Sequence, residues 1–440
     1  MKKPSSYEEA VSFVQDIPLF TGKSGMSGTR RLLELMGHPE LGFRMIHVAG
    51  TNGKGSTCAF LESIFRGMGL RTGLFTSPHL IRINERMRVM GHDITDDDFL
   101  EAFCGVRPAV LELLDEGGQP PSYFEYLFAM SLYWFGKEGI DLLICETGMG
   151  GRLDATNSID RAEAVVITSI SLDHTKYLGN SVPEIAFEKA GIIRPHTPVI
   201  YWAEDEESAE VIAGRAEELE AEPFPLKEEA LHITGREPGE IGLRLALPGR
   251  EPFDLRIPFG ADYQAENASL AALCALTLGA DVEDVKSGIR CTSWPGRMQE
   301  IRDGVFIDGA HNPDGIRKLA CQIRHMAEKR RVWLMAAIVS DKDHGMMARE
   351  LCRGINYAGV IVTSVGGGRQ LPVDVLAEEF RSAGQSMVEA EPDPVRAYET
   401  ALRKRGGDIL VCAGSLYLAG GILDYEKQHK AGREISNAEL

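Results

Sequence analysis

The amino-acid sequence predicts an α/β fold: a large, doubly wound and mostly parallel sheet, followed by a smaller α/β domain with a Rossmann-like arrangement. Short, almost continuous apolar runs alternate with helical patterns along most of the chain, which is typical of parallel strands covered on both faces by helices. A glycine-rich loop at 50–56 joins one such run to a helix. With 440 residues, the chain is longer than one hydrophobic core usually serves, so we expect two domains, at 1–293 and 294–440.

The composition is that of an ordinary globular protein and argues against several functional classes. Hydrophobic residues make up 44% and charged residues 25% of the chain, which is close to average usage and excludes a mainly disordered protein. Because 65 Asp and Glu outweigh 47 Lys and Arg, for a net charge of −18, no nucleic-acid partner is expected. No signal-peptide core and no apolar stretch of about 18 residues is present. We therefore expect a cytoplasmic protein without a membrane partner. A monomer is expected as well, although no sequence feature decides the oligomeric state.

The segment GTNGKGS at 50–56 follows the apolar run IHVA and precedes a helical pattern. Its three glycines allow a sharp turn that points backbone N–H groups inward, and the helix N-terminus adds partial positive charge, so a polyphosphate is the natural ligand. Lys54 is expected to pair with the β- and γ-phosphates, and Ser56 to bind Mg²⁺. The match to the common P-loop pattern is imperfect because Gly55 separates the lysine from the serine. A ligand-free glycine turn would leave Lys54 and Ser56 unexplained, so we interpret residues 50–56 as the P-loop of an ATP-type nucleotide site.

Polar residues follow three further predicted strands. Ser77 follows a strand that ends at Thr76, Glu146 follows the run at 140–145, and His174 lies a few residues beyond the run at 164–170. In parallel sheets ligands bind beyond the carboxyl ends of the strands. A hydroxyl, a carboxylate and an imidazole suit Mg²⁺ with bound waters, although imidazole is an uncommon ligand for this ion. The sequence therefore predicts a metal–nucleotide site at this edge.

The remaining elements are assigned from their periodicity. Helices are predicted at 7–17, 29–36, 96–114, 123–130, 184–190, 204–222 and 265–278, and the strands of the smaller domain at 304–308, 332–337, 359–364 and 408–412. Residues 22–28 are expected to form a loop, either a connector or a lid. Glu125 stands out within an aromatic helix, as a surface carboxylate or as one that binds a buried heterocycle. Residues 200–260 carry no motif that indicates a function.

Ten short segments follow one another in a specific order. They are HVAGTNGKGS (47–56), TSPHL (76–80), YFEY (123–126), ETGMGGRLDATN (146–157), SLDHT (171–175), EKAGI (188–192), PGR (295–297), DGAHNP (308–313), DKD (341–343) and GSLYL (414–418). In these segments, which span nearly the whole chain, the sequence resembles the folylpolyglutamate synthase / dihydrofolate synthase family, relatives of the Mur ligases.

The resemblance implies an ATP-dependent amide ligase of folate metabolism. A carboxylate of pteroate or folate would be phosphorylated by ATP, and the α-amine of L-glutamate would displace phosphate from the acyl phosphate. Cofactors would be ATP and two Mg²⁺ ions. By resemblance, the magnesium ligands are Ser56, Ser77, Glu146 and His174, with Lys189 carbamylated and helping the second ion.

The resemblance also assigns contacts to the substrates. For ATP these are Thr51, Asn52, Gly53, Lys54, Gly55, Ser56, Asn267, Arg297 and Asp308. For the pterin substrate they are Ser77, Pro78, His79, Leu80, Phe124, Glu125, Arg152, Leu153 and Asp154, and for glutamate His311 and Ser415. The implied catalytic group comprises Lys54, Glu146, His174, Lys189 and His311.

Three residues depart from the family pattern, and other functions remain open. Thr147 and Met149 stand where relatives more often carry aliphatic residues, and Lys176 stands where they are often acidic. The alternatives are a Mur-type ligase that adds an amino acid to a cell-wall precursor, and a GTP-dependent switch protein. The chain lacks the Asn-Lys-x-Asp signature for guanine, which argues against the switch. The sequence does not decide between dihydropteroate and tetrahydrofolate, nor how many glutamates are added.

Overall fold

The computed structural model describes residues 4–18, 25–237, 239–366 and 368–438. The chain forms two compact units. The first comprises Met1–Gly235, Gly242–Pro258 and Gln264–Ser293, and the second comprises Arg236–Ile241, Phe259–Tyr263 and Trp294–Leu440. Each unit has a sheet covered by helices.

The first unit is organised around an eight-stranded sheet. Its strands are β1 (Arg44–Ala49), β2 (Thr72–Phe75), β3 (Met87–Val89), β4 (His92–Asp93), β5 (Leu142–Glu146), β6 (Ala164–Ile167), β7 (Val199–Trp202) and β8 (Pro223–Leu226). Their order is β4-β3-β2-β5-β1-β6-β7-β8. The pairs from β2 to β8 are parallel, whereas β3 and β4 extend the β2 side in antiparallel fashion. The predicted doubly wound, mostly parallel sheet is confirmed.

Ten helices are described up to residue 293. They are α1 (Tyr7–Asp16), α2 (Gly25–Leu35), α3 (Lys54–Gly67), α4 (Asp96–Asp115), α5 (Tyr123–Glu138), α6 (Thr175–Leu178), α7 (Val182–Ala190), α8 (Glu206–Glu218), α9 (Tyr263–Thr277) and α10 (Val282–Arg290). A three-stranded sheet, in the order β11-β10-β9, consists of β9 (Leu231–Glu237), β10 (Glu240–Leu245) and β11 (Phe253–Ile257). The Thr95 hydroxyl accepts the Asp98 N–H at 3.1 Å and caps α4.

The expected loop at 22–28 is wrong in its second half, because α2 already begins at Gly25. The glycines and serines of this stretch indicate a loop by composition. However, Leu32 and Leu33 are buried in the core, and packing of an apolar face outweighs a weak local preference against helix. Residues 22–24 lie outside the described residues.

Glu125 has a role that neither sequence interpretation proposed. One carboxylate oxygen accepts the Ser122 N–H at 2.7 Å, while the Ser122 hydroxyl accepts the Glu125 N–H at 3.4 Å. This reciprocal pair is a capping box that begins α5. The other oxygen accepts the hydroxyl of Thr29 at 3.1 Å. The carboxylate therefore holds α5 and α2 in place.

The second unit is a smaller α/β fold, as predicted. Its strands are β12 (Gln299–Arg302), β13 (Val305–Ile307), β14 (Val332–Ala336), β15 (Gly359–Val362), β16 (Val388–Ala390) and β17 (Ile409–Ala413), and its helices are α11 (Pro313–Ala327), α12 (His344–Cys352), α13 (Val373–Ser382), α14 (Pro394–Arg405) and α15 (Leu416–Ala438). The strand order is β12-β13-β17-β14-β15-β16, parallel except for β12.

Across the part of the chain that the structure describes, no helix combines the length and the apolar character needed to cross a membrane.

A buried histidine lies in the middle of the large sheet. His47 is on β1, fully buried, and its Nε2 is 2.8 Å from the hydroxyl oxygen of Thr156. Because the Thr156 hydroxyl donates its proton to Asp154 at 2.6 Å, it accepts from His47 Nε2–H. Burial, and secondarily the charge of Arg194, lower the pKa of His47 to about 3.

This histidine makes folding sensitive to acid. An unfolded histidine has a pKa near 6.5 and takes up a proton as the pH falls, whereas the folded His47 stays neutral until about pH 3. Stability from this residue is therefore complete above pH 6.5 and is lost below it. Between pH 7.5 and 5, we expect His47 to lower the free energy of unfolding by about 2 kcal/mol. Urea unfolding of the wild type and of His47→Gln at both pH values measures this difference. An equal loss in both proteins would contradict the assignment.

Candidate nucleotide and metal site

The four predicted segments follow four neighbouring strands. β2, β5, β1 and β6 are adjacent in this order and run parallel. Ser77 follows β2, Glu146 ends β5, the P-loop follows β1 and His174 comes after β6. Since parallel strands end at one edge of the sheet, the structure places all four segments at that edge.

Two P-loop positions require glycine. Gly50 has φ +149°, and a Cβ atom there would lie 1.8 Å from the Thr168 hydroxyl oxygen. Gly53, the N-cap of α3, has φ +89°, and its Cβ would lie 2.1 Å from the side-chain oxygen of Asn267. The first glycine brings the loop against the end of β6, and the second brings it against α9.

Hydrogen bonds join the P-loop to the segment after β6. The Thr51 N–H donates to the Ser169 carbonyl at 2.8 Å. The Thr51 hydroxyl accepts the Ser171 N–H and donates to the Ser171 carbonyl, both at 3.1 Å. The Thr168 hydroxyl donates to the Asn52 carbonyl at 2.6 Å. These hydrogen bonds to the segment after β6 thus fix the conformation of the P-loop.

Two lysines donate to one backbone carbonyl. Lys54 Nζ lies 3.0 Å from the Gly50 oxygen and 3.1 Å from the Thr51 oxygen, and Lys189 Nζ lies 2.6 Å from the same Gly50 oxygen. Lys189 is only 4% exposed. Burial, and then the charge of Lys54, lower the pKa of Lys189 well below its ordinary value. These surroundings favour the neutral amine of Lys189.

The proposed metal ligands make several direct contacts. Glu146 is 4% exposed, and its Oε2 accepts the Ser77 N–H at 3.0 Å. The Ser56 hydroxyl accepts from the amide of Gln264 at 3.2 Å. His174 has φ +51° at the start of α6 and is exposed, with its Nε2 3.8 Å from Asp173 Oδ2.

The donor set fits a magnesium ion that takes some of its ligands from the protein and the others from phosphate. Among the described residues, no group of three or more His, Cys, Asp or Glu side chains is placed to hold a metal alone. Magnesium does not need such a cage, since it keeps waters and takes one or two protein carboxylates together with phosphate oxygens. Glu146, the Ser56 hydroxyl and the glycine loop provide that combination.

The loop after β5 is held by buried polar groups. Asp154 accepts the Met149 N–H at 2.8 Å and both the N–H and the hydroxyl of Thr156, at 3.0 and 2.6 Å. Burial raises the pKa of Asp154, although these hydrogen bonds oppose the shift. Arg152 pairs with Glu188 at 2.8 Å. Leu153, in contrast, is 59% exposed, so within this loop Leu153 faces solvent while Asp154 holds the backbone.

The loop after β2 and its aromatic neighbour are also ordered. Glu85 accepts the N–H groups of Leu80, Ile81 and Arg82 at 2.7–2.9 Å. The Arg86 guanidinium donates to His79 Nδ1 at 2.9 Å, which leaves Nε2–H of a neutral imidazole as the available donor. Pro78, which precedes His79, is exposed.

Phe124 lies at the start of α5, with its ring 5.6 Å from that of Phe75 on β2. Its ring also occupies the space beside Gly148. Phe124 therefore joins β2 to the loop after β5.

In the second unit, Asp308 is a buried acceptor. Its oxygens accept the Tyr263 hydroxyl at 2.5 Å and the N–H groups of Met298 and Ala310, each at 2.8 Å. Burial and the nearby Asp308 carboxylate raise the pKa of Tyr263 well above its ordinary value. Asp308 thus holds the segments on either side of β13.

The other predicted residues of this unit lie close to the ends of β13 and β17 in the sequence or contact the residues that follow β13. The Gly309 N–H donates to the Gly296 carbonyl at 2.9 Å, beside Arg297. The ring of His311 approaches the Gly309 carbonyl at 2.9 Å. The Ser415 hydroxyl, just after β17, accepts the Tyr417 N–H at 3.1 Å.

Sequence reasoning missed several polar residues that hold the site. Gln264, Thr168 and Tyr263 make the contacts described above, yet none belongs to a phosphate motif. Thr168 directly follows β6 in the structure, but the sequence placed it inside the apolar run at 164–170. A signal existed for Gln264, because it precedes Asn267 by three positions in an otherwise Ala- and Leu-rich helix, and this spacing places both on one helix face.

Comparison with known proteins first defines the class. Residues 123–275 match the "Mur ligase middle domain" and residues 296–416 match the "Mur ligase, glutamate ligase domain". The dihydrofolate synthase/folylpolyglutamate synthase of Bacillus subtilis is 33% identical, covering 95% of this chain and 98% of that protein. The chain belongs to the folylpolyglutamate synthase / dihydrofolate synthase family.

Solved structures agree with this assignment. Folylpolyglutamate synthase of Mycobacterium tuberculosis complexed with ADP matches with a TM-score of 0.87 and 28% identity, covering 97% of this chain and 99% of that chain. E. coli FolC in complex with DHPP and ADP matches with a TM-score of 0.84 and 26% identity, covering 98% and 100%.

The requirement for glycine at 53 can be tested against a matched glycine. Gly53 and Gly69 both have φ +89°, but a Cβ at Gly69 meets nothing within 4 Å. We expect Gly69→Ala to cost about 1–2 kcal/mol of stability through backbone strain alone and to leave nucleotide binding unchanged. Gly53→Ala must also displace Asn267, so binding of a non-hydrolysable ATP analogue should be abolished. Calorimetric titration and thermal unfolding of both variants measure these effects, and equal binding by the two variants would refute the steric argument.

Proposed function

We propose that this chain is an ATP-dependent ligase that forms an amide between L-glutamate and dihydropteroate, the glutamate tail of tetrahydrofolate, or both. The reaction passes through an acyl phosphate and releases ADP and phosphate. One observation carries the proposal: a P-loop whose turn requires glycine lies at the same sheet edge as Ser77 and the buried Glu146, in a chain of this family.

The relatives support both the nucleotide and the second substrate. Curated relatives are named as dihydrofolate synthase and folylpolyglutamate synthase, and both solved structures described above contain ADP, one of them with DHPP. The chain covers 98% of the Bacillus subtilis protein and 99% and 100% of the two solved chains. We transfer ATP and a pteroate-type substrate to it on that basis.

The P-loop would bind the phosphates of ATP. Backbone N–H groups from Asn52 to Ser56 and the N-terminus of α3 are favourable for phosphate oxygens, whereas Thr51 would act by holding the loop, since its N–H donates to the Ser169 carbonyl. Lys54 donates to the Gly50 and Thr51 carbonyls, and the phosphates would offer it stronger, charged acceptors. Positive charge at this point stabilises the phosphoryl group as it passes to the substrate carboxylate.

Magnesium would be held by Ser56, Ser77, Glu146 and His174, with phosphate oxygens completing its coordination. When bound, the ion neutralises charge on the transferring phosphoryl group. A second ion would use a carbamate on Lys189. A carbamate forms when a neutral amine adds CO₂, and the burial of Lys189 favours the neutral amine.

The pterin substrate would lie against the loops after β2 and β5. Phe124, Leu153, Pro78 and Leu80 supply apolar surface, while Arg152 and the Nε2–H of His79 supply donors. Glu125 would contribute by holding the start of α5, and Asp154 by holding the loop after β5, because their carboxylates accept protein donors.

Further contacts would come from Asn267 and from residues of the second unit. Asn267, Arg297 and Asp308 are proposed for ATP, and His311 and Ser415 for glutamate. Asp308 would act by fixing the backbone around Arg297, since its oxygens already accept three donors. We place the domains at 1–293 and 294–440 and the protein in the cytoplasm, as a monomer without nucleic-acid or membrane partners.

The test of this function is substrate-dependent phosphate release. Purified protein with ATP and Mg²⁺ is given glutamate together with dihydropteroate, tetrahydrofolate or a cell-wall precursor, and the products are identified by mass. We expect release of phosphate, with a mass gain of one glutamyl residue, for at least one of the two folate-type substrates. Release only with the cell-wall precursor would contradict the proposal.

Substitution of Lys54 tests its contribution to the transition state separately from its contribution to stability. Lys54→Ala should remain folded, because its side chain bonds only to loop carbonyls, but should lose ATP turnover by about 10²-fold or more. Lys286→Ala is the matched control, since Lys286 pairs with Glu283 at the surface. Single-turnover phosphate release and thermal unfolding measure both properties, and near-normal turnover in folded Lys54→Ala would remove the P-loop from the mechanism.

A further inference from the structure

A buried amide connects the P-loop to α9. Gln264 is 0% exposed. Its side-chain oxygen accepts from the Asn267 amide at 2.9 Å, and its Nε2 donates to the Ser56 hydroxyl at 3.2 Å. The Asn267 donor fixes the orientation of the Gln264 amide, because an N–H group must meet an oxygen. Its N–H therefore faces Ser56.

This contact constrains the Ser56 hydroxyl. A hydroxyl has one proton and two lone pairs. The N–H of Gln264 engages one lone pair of the Ser56 oxygen. The other lone pair and the proton therefore point in the two directions that remain around that oxygen. Ser56 is itself buried in the first turn of α3.

The Gln264 amide also holds the side chain that packs against the glycine turn. Asn267, held by Gln264, has its side-chain oxygen in the space that a Cβ on Gly53 would fill. Gln264 thereby fixes Ser56 directly and the approach of Asn267 to the P-loop indirectly.

We propose that Gln264 is a positioning residue that orients the Ser56 hydroxyl toward the magnesium of bound ATP. The proposal rests on the proposed function, because it takes Ser56 as the P-loop ligand of the ion. Gln264 touches neither nucleotide nor metal in this role. Partners that orient metal ligands typically contribute about 10- to 100-fold to metal affinity, so the effect should appear in the magnesium dependence of nucleotide binding.

The experiment measures binding of a non-hydrolysable ATP analogue by calorimetry, in magnesium and in EDTA. The ratio of the two dissociation constants gives the gain in affinity due to magnesium. We expect Gln264→Met to lower this gain about 10-fold. The EDTA arm isolates any effect that reaches the nucleotide through Asn267. If Gln264→Met does not fold, Gln264→Asn takes its place, since its shorter amide cannot reach Ser56 and the same loss is expected.

Two further variants distinguish positioning from a general loss of stability. Gln385→Met removes another buried glutamine, which accepts from the Tyr357 N–H at 3.3 Å and donates to the Ile355 carbonyl at 2.9 Å in the second unit. It should leave the magnesium gain at the wild-type value. In a Ser56→Ala background, adding Gln264→Met should lower the gain no further.

The outcomes are distinct. A reduced magnesium gain in Gln264→Met that disappears in the Ser56→Ala background supports the proposal. An unchanged gain in a folded variant, or an equal additional loss in the Ser56→Ala background, overturns it while leaving the function intact. Failure of the wild type to bind the analogue in magnesium would instead overturn the proposed function.

Discussion

The site depends on the turn that the chain makes after β1. Gly50 and Gly53 hold positive φ angles there, and each lies where a neighbouring side chain leaves no room for a Cβ. The turn leads from the end of β1 at Ala49 to the start of α3 at Lys54, so the N-terminus of that helix lies at the carboxyl edge of the sheet. It also lets β6 and α9 contact the loop from two directions, through Thr168 and Asn267. The position of the proposed phosphate site thus follows from backbone conformations that only glycine adopts without strain.

Three acidic side chains near the candidate site accept hydrogen bonds from the protein itself. Glu125 closes the N-terminus of α5, Asp154 holds the loop after β5, and Asp308 holds the segments beside β13. Each carboxylate accepts two or more protein donors. These hydrogen bonds offset the cost of removing the carboxylates from water.

The sequence predicted what depends on local pattern and missed what depends on distant contacts. Apolar runs gave the parallel strands, and the residues after them gave Ser77, Glu146 and the P-loop at one edge, because parallel strands share an edge. The capping role of Glu125 was available from Ser122 three positions earlier, but the aromatic surroundings suggested only a surface carboxylate or one that binds a buried heterocycle. The contact between Gln264 and Ser56 was not predictable, since no local pattern relates residues so far apart in the chain.

That separation has a consequence for biosynthesis. Ser56 and Gln264 are 208 residues apart, and a ribosome adding about 5–20 residues per second needs about 10 to 40 s to span them. During that interval the strand and helix around the P-loop can form, but the P-loop lacks the partner that fixes its serine. The nascent chain completes its phosphate site late, after the sheet that carries it.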